Sequence, residues 1–300
     1  MGSDTSKTVS LVLGSGGARG LAHIGVINWL TENGYRIESV SGASMGALVG
    51  GIFAAGKLNT YTEWVKALEK SDVLRFLDLS FGSGGLFKGD RIMDILKDMV
   101  GEHAIEDLPV SFTAVATDID RQREVWFTEG PLFDAIRASI AVPSIFTPHE
   151  YLGMTLLDGG LLNPVPIAPT FHDRTDITIA VDLNARRRRS PAVAQGEPGQ
   201  PAKESLYRKL IDQFLDTWQG GSDADNDAEQ KGDIGLFDLL ARAFDTMQNA
   251  ISAVKLAAYA PDIVIEIPRD TCASFEFYRA KEVIETGHET AARVISAKLR

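Results

Sequence analysis

Short apolar runs alternate with longer amphipathic stretches over most of this 300-residue chain. Val9–Leu13 is a brief apolar run that ends in glycines, and Leu21–Leu30 has helical length and content. Arg36–Val40 is a second short run, followed by Met45–Ala55, a helix of small apolar residues. A short buried strand that leads into a helix, twice in succession, predicts an α/β fold with a parallel sheet. Tyr61–Val100 reads as amphipathic helix, interrupted by a glycine-rich loop at Phe81–Asp90. Strands are expected at Ser111–Ala116, Glu124–Thr128, Met154–Leu157, Asp176–Leu183 and Asp262–Ile267, with a short helix at Phe133–Ile140 that Pro143 and Pro148 cut off. Lys203–Gln219 places apolar side chains at 206, 207, 210, 211, 214, 215 and 218, the spacing of one helix face. Ile234–Ala258 and Phe277–Leu299 close the chain as long helices.

Composition narrows the class. Hydrophobic residues at 44% and charged residues at 24% fit a globular protein and exclude wholesale disorder. No run approaches about 18 apolar residues, so no membrane-spanning helix is expected, and the first residues do not read as a signal peptide. The single cysteine, Cys272, allows no internal disulfide and fits a reducing, cytoplasmic setting. A net charge of −11 repels nucleic acid at long range, so none is expected as a partner. Length alone suggests about two domains. The element order reduces these to one catalytic domain at 8–300 with a mobile insertion at 186–233. That insertion opens with the basic run Arg186–Arg189, passes through the helix at about 203–219 and ends in the acidic stretch Gly220–Asp233. Tyr207, Phe214 and Trp218 on that helix would suit peripheral contact with a membrane surface, and the basic run would suit lipid headgroups.

Glycine carries the first chemical clue. Eleven of the 28 glycines fall between residues 11 and 60, where backbone must come close to something. Gly42-Ala-Ser-Met-Gly46 is a G-x-S-x-G between a strand and a helix, the context of a nucleophile elbow with Ser44 exposed at a helix N-terminus. The pentapeptide alone leaves a plain helix cap by Ser44 equally open. Gly14-Ser-Gly-Gly-Ala-Arg-Gly20 follows the first strand, lacks the Gly-Lys-Ser/Thr of a phosphate loop and has Arg19 where a dinucleotide fingerprint needs glycine. Parallel neighbouring strands would bring its Gly16 and Gly17 N–H groups beside Ser44 as oxyanion donors. Leu157-Asp-Gly-Gly160 offers Asp158 at a strand end, either as a base or as the start of a tight turn. A Ser–Asp–His triad would draw on His172 or His288, but neither has a glycine-rich or strand-end context, and the elbow lies too early for an α/β-hydrolase. Asp118 and Asp120 lack a third ligand for a metal and read as turn or cap residues.

In their order, G-S-G-G-A-R-G, G-A-S-M-G and D-G-G resemble the patatin-like phospholipase family, in the bacterial subgroup similar to the catalytic domain of neuropathy target esterase. Gly85–Asp90, Ala116-Thr-Asp118, Ala138–Pro148 and Asp158–Pro166 agree with that pattern. The resemblance runs from about Thr8 to Asn184 and more weakly through Asp262–Gly287. It implies a three-layer α/β/α sandwich with a mostly parallel sheet and a Ser44–Asp158 dyad without histidine. It also implies an oxyanion hole from Gly16, Gly17 and Met45, with Arg19 either beside that hole or in a surface salt bridge. The activity implied is hydrolysis of a phospholipid or other acyl ester through an acyl-enzyme, with no cofactor and no metal. Acyl transfer, short-chain ester hydrolysis and a non-catalytic lipid-binding scaffold are the alternatives.

Overall fold

A computed structural model describes residues 6–75, 85–185 and 236–298. The predicted helix at about 203–219, the rest of the 186–233 insertion and the loop residues 81–84 lie outside the described residues.

Strand β1 (Thr8–Leu13) explains the architecture. Its residues alternate between two apolar environments, and from Val9 to Leu13 none is exposed. Val9, Leu11 and Leu13 join the large core with α1 (Ala22–Glu32), α2 (Met45–Ala54) and the last helix. Val12 packs on the opposite face with Ala180, Val165 and Ile167, against Leu256 and Tyr259. A strand buried on both faces needs helices on both sides, hence three layers. The remaining elements are β2 (Arg36–Ala43), α3 (Leu58–Lys66), α4 (Lys70–Arg75), β3 (Gly85–Phe87), α5 (Asp90–Val100), β4 (Ser111–Asp118), β5 (Arg123–Phe127), α6 (Leu132–Ser139), β6 (Ser144–Phe146), β7 (His149–Tyr151), β8 (Met154–Asp158), β9 (Ile177–Ala185), α7 (Leu236–Tyr259), β10 (Ile263–Pro268) and α8 (Ala280–Lys298). The main sheet runs β10-β9-β1-β2-β4-β8-β7, with β5 also on β4. β10, β9, β1, β2 and β4 are parallel, and β5, β7 and β8 add an antiparallel margin.

Two details depart from the periodicity. Gly85–Phe87, expected in a loop, pairs in parallel with Ser144–Phe146 as a separate two-stranded sheet. Three-residue strands that include glycine or serine are too short to alternate visibly. The closing helix starts at Ala280, after a 3-10 turn at Phe277–Arg279.

Helices α1 and α8, from opposite ends of the chain, pack through paired glycines. A Cβ on Gly25 would sit 1.9 Å from the Ile284 carbonyl oxygen, and one on Gly287 would sit 2.0 Å from that of Ala22. Both obstacles are backbone, so no rotamer change relieves them. Gly287→Ala is expected to lower stability by about 2–3 kcal/mol, read as a drop in the thermal unfolding midpoint.

Candidate active site

Parallel pairing sets the C-terminal ends of β1 and β2 side by side, Leu13 opposite Gly42. The glycine loop leaves the first end, and Ser44 leaves the second and enters α2 one residue later. A strand-to-helix reversal on one residue forces Ser44 to φ 56°, ψ −123°, outside the regions open to ordinary L residues. Such a conformation costs about 1–3 kcal/mol and persists only when its surroundings over-determine it. The turn also needs bare backbone, since a Cβ on Gly46 would lie 1.9 Å from the Leu13 carbonyl oxygen. Glycine at this position is therefore a steric requirement of the elbow.

Asp158 ends β8 and is wholly buried. Its Oδ1 accepts the Gly160 N–H at 2.6 Å. The backbone is held as well: its N–H donates to the Ala141 carbonyl at 2.9 Å, and the Thr117 hydroxyl donates to its carbonyl at 3.0 Å. Oδ2 accepts no formed hydrogen bond. The Ser44 hydroxyl nonetheless bears on the carboxyl and lowers its pKa. Burial is the larger effect. It pushes the Asp158 pKa up to about 7, with Ser44 and the Gly160 N–H pulling the other way.

The glycine loop is gripped by its carbonyls. Gly14 O accepts from His23 Nε2 at 2.8 Å, Ser15 O from Asn184 Nδ2 at 3.1 Å and Gly16 O from Arg19 Nε at 3.0 Å. Burial takes the His23 pKa down to about 4, so the ring is neutral and carries its proton on Nε2. The N–H groups of Gly14, Ser15 and Ala18 donate to Val181, Pro164 and Ser274. Among the described residues this leaves the Gly16 and Gly17 N–H groups without a carbonyl partner. In a trans peptide the N–H points away from the C=O. Asn184, by holding Ser15 O, therefore aims the Gly16 N–H, and Arg19, by holding Gly16 O, aims the Gly17 N–H. The N–H of Met45, in the first turn of α2, has no intrahelical carbonyl to reach.

Ser15, Gly16, Gly17, Arg19, Ser44 and Met45 line one cavity of about 580 Å³, a size ordinary for small-ligand sites. Its walls are apolar, with Leu48, Trp64, Met93 and Phe146 on one side and Leu240 and Met247 of α7 on another. Asp158 is buried and is not among the residues that line it. Gln248 of α7 also reaches the cavity, and its Nε2 donates to Ser15 Oγ at 3.2 Å.

The sequence reading of Arg19 as a surface salt bridge fails. The side chain is buried, and among the described residues it meets carbonyls, those of Gly16 and Arg269, rather than a carboxylate. Neither His172 nor His288 lines the cavity, and His288 pairs with Glu32 at 2.9 Å. Asp118 is buried and closes a turn, accepting the Arg121 N–H at 3.1 Å and pairing with the Arg121 guanidinium at 2.9 Å. No group of three or more potential metal ligands occurs among the described residues. His23, Asn184, Gln248 and Ser139 were not legible as site residues. The one signal they offered was a polar side chain inside an apolar stretch.

A family model described as patatin-like phospholipase matches residues 11–171. An NTE family protein of Mycobacterium tuberculosis is 40% identical, over 98% of this chain and 92% of its own length. The neuropathy target esterase sws of Drosophila melanogaster is 32% identical over 61% of this chain and 13% of its own length. Among solved structures, VipD from Legionella pneumophila aligns over 98% of this chain and 67% of that one, with a TM-score of 0.48 and 14% identity. A likeness that loose carries no argument.

Proposed function

This chain belongs to the patatin-like phospholipase family, and from that premise we propose that it is a serine lipid acyl hydrolase working through Ser44 and Asp158. The observation that carries the reading is a strained serine beside a buried carboxyl whose pKa stands near 7, at the floor of an apolar cavity. The cavity takes the acyl chain of a phospholipid, a lysophospholipid or a related ester. Its apolar walls and volume favour a long chain over the short-chain esterase alternative.

Ser44 Oγ attacks the ester carbonyl as its proton passes to Asp158 Oδ2. The carbonyl oxygen, now an oxyanion, takes hydrogen bonds from the Gly16 and Gly17 N–H groups, with Met45 N–H at the positive end of α2. Asp158 then protonates the leaving alcohol, and the acyl group stays on Ser44. A water molecule, deprotonated by Asp158, attacks the acyl-enzyme; the acyl–Oγ bond breaks, Asp158 returns the proton to Ser44 Oγ, and the fatty acid is released. Arg19 acts through the loop it holds. Arg19→Ala is expected to lower kcat on the order of 10²-fold with a smaller change in KM, because the Gly17 N–H loses its aim. Steady-state kinetics on one ester measures both.

The test of the reading is chemical. A serine-directed phosphonate should leave an adduct on Ser44, read by peptide mass spectrometry. The untreated protein should release fatty acid from vesicles of phosphatidylcholine or its lyso form, read by lipid mass spectrometry. Absence of both adduct and fatty acid would overturn the proposal.

A further inference from the structure

We infer that Ser139 is a positioning residue that locks the Ser44 elbow in its reactive conformation, an inference that rests on Ser44 being the nucleophile. Ser139 is the last residue of α6 and is wholly buried. A serine near a helix end usually bonds back to a carbonyl of its own helix. This hydroxyl leaves the helix: Ser139 Oγ donates to the Val115 carbonyl at 2.6 Å and accepts the Ser44 N–H at 2.9 Å. The direction is unambiguous, because a carbonyl can only accept and an N–H can only donate.

Val115 lies opposite Ala43, the last pair of the β2–β4 ladder. The ladder ends there because Ser44 turns away. Ser139 inserts a hydroxyl between the two groups, Ser44 N–H and Val115 C=O, that the turn separates. On the far side, the Ser44 carbonyl accepts the N–H groups of Ala47 at 2.9 Å and Leu48 at 3.1 Å. Both peptide units around Ser44 are thereby held, which fixes φ and ψ and confines Oγ to one arc facing Asp158. Two residues further on, the Ala141 carbonyl holds the Asp158 N–H at 2.9 Å. The short stretch from the last residue of α6 to Ala141 thus carries a backbone anchor for each member of the dyad. The same bond commits the Ser44 N–H, so oxyanion stabilisation falls to the glycine loop and Met45.

Ser139→Ala removes the bridge and leaves the reacting groups in place. The expected result is a fall in kcat of about 10- to 100-fold, the scale of a small misplacement of a nucleophile, with KM within about threefold of wild type. Ser139→Thr, which restores the hydroxyl, is expected to recover most of the loss. Rates are referred to the fraction folded, taken from the unfolding transition. Amide hydrogen exchange supplies a second readout, since the Ser44 N–H should exchange faster in Ser139→Ala while the α2 interior keeps its protection. If Ser139→Ala does not fold, Ser139→Cys, with a weaker acceptor, is measured by the same criteria. An unchanged kcat per folded molecule, a loss confined to KM, or unchanged Ser44 exchange would each overturn the inference. Wild-type protein that neither hydrolyses esters nor takes the phosphonate overturns the proposed function instead, and Ser44 exchange still decides whether the brace exists.

Discussion

Ser44→Ala is expected to reduce ester hydrolysis on the order of 10⁴- to 10⁶-fold, the range seen when a catalytic serine is deleted from an otherwise intact site. The backbone argument makes this a clean substitution. Alanine meets the same φ and ψ strain as serine, and the Ser44 N–H and carbonyl keep their partners because neither belongs to the side chain. The elbow, the cavity and the aimed glycine N–H groups therefore survive, and any residual rate reports binding and oxyanion stabilisation alone. Fatty acid release and phosphonate labelling should vanish together while the thermal unfolding midpoint stays near that of wild type. Retention of either activity at more than about a hundredth of the wild-type rate would rule Ser44 out as the nucleophile.

Asp158→Asn should cost roughly 10⁴-fold in kcat, the size of effect produced by neutralising the carboxylate of a serine protease triad. It should also stabilise the protein at alkaline pH. Burial lifts the Asp158 pKa from an ordinary 3.8 to about 7, so the native state binds its proton more tightly than the unfolded chain does. The stabilising contribution of that proton is full below about pH 4, declines as pH rises, and is gone above about pH 7. Beyond that, a buried carboxylate without a counter-charge is a standing penalty, and asparagine does not carry it. The variant is therefore expected to melt above wild type at pH 8, with the gap closing toward pH 5. Wild-type kcat/KM should climb with pH and level off with a midpoint near 7, as the base ionises. A midpoint near 4, or an Asp158→Asn variant no more stable than wild type at pH 8, would mean that the carboxyl is not buried as described.

The sequence showed some parts of this site clearly and others not at all, for physical reasons. Ser44 and Asp158 are visible because a one-residue reversal and a strand-end turn both require flanking glycines, and glycines stand out. Strand β1 is visible because burial on both faces fills it with apolar residues, whereas β3, three residues long, is too short to show a pattern. Ser139 and Asn184 act through hydrogen bonds to residues far away in sequence, and His23 through one bond to the glycine loop, and a lone polar residue makes no pattern. Arg19 stands in the loop that the motif marks, but its task is not legible, because its hydrogen-bond partners are carbonyls and the acidic groups that act on it, Asp245 and Asp182, lie far away in sequence. The predicted helix at 203–219, with its expected membrane contact, falls outside the described residues.

The partners of the glycine loop also order events in time. The loop is made by residues 14–18, but the groups that shape it come from Pro164, Val181, Asn184, Arg269 and Ser274. Synthesis proceeds at about 5–20 residues per second, and a domain generally folds as a unit. The elbow's partners reach only to Ser139, whereas the loop, held locally by His23 and Arg19, draws its other partners from as far as Ser274. The loop opposite Ser44 is therefore fully held only once residues out to Ser274 are in place. The proposed catalytic centre is thus completed by residues that follow both Ser44 and Asp158 in sequence.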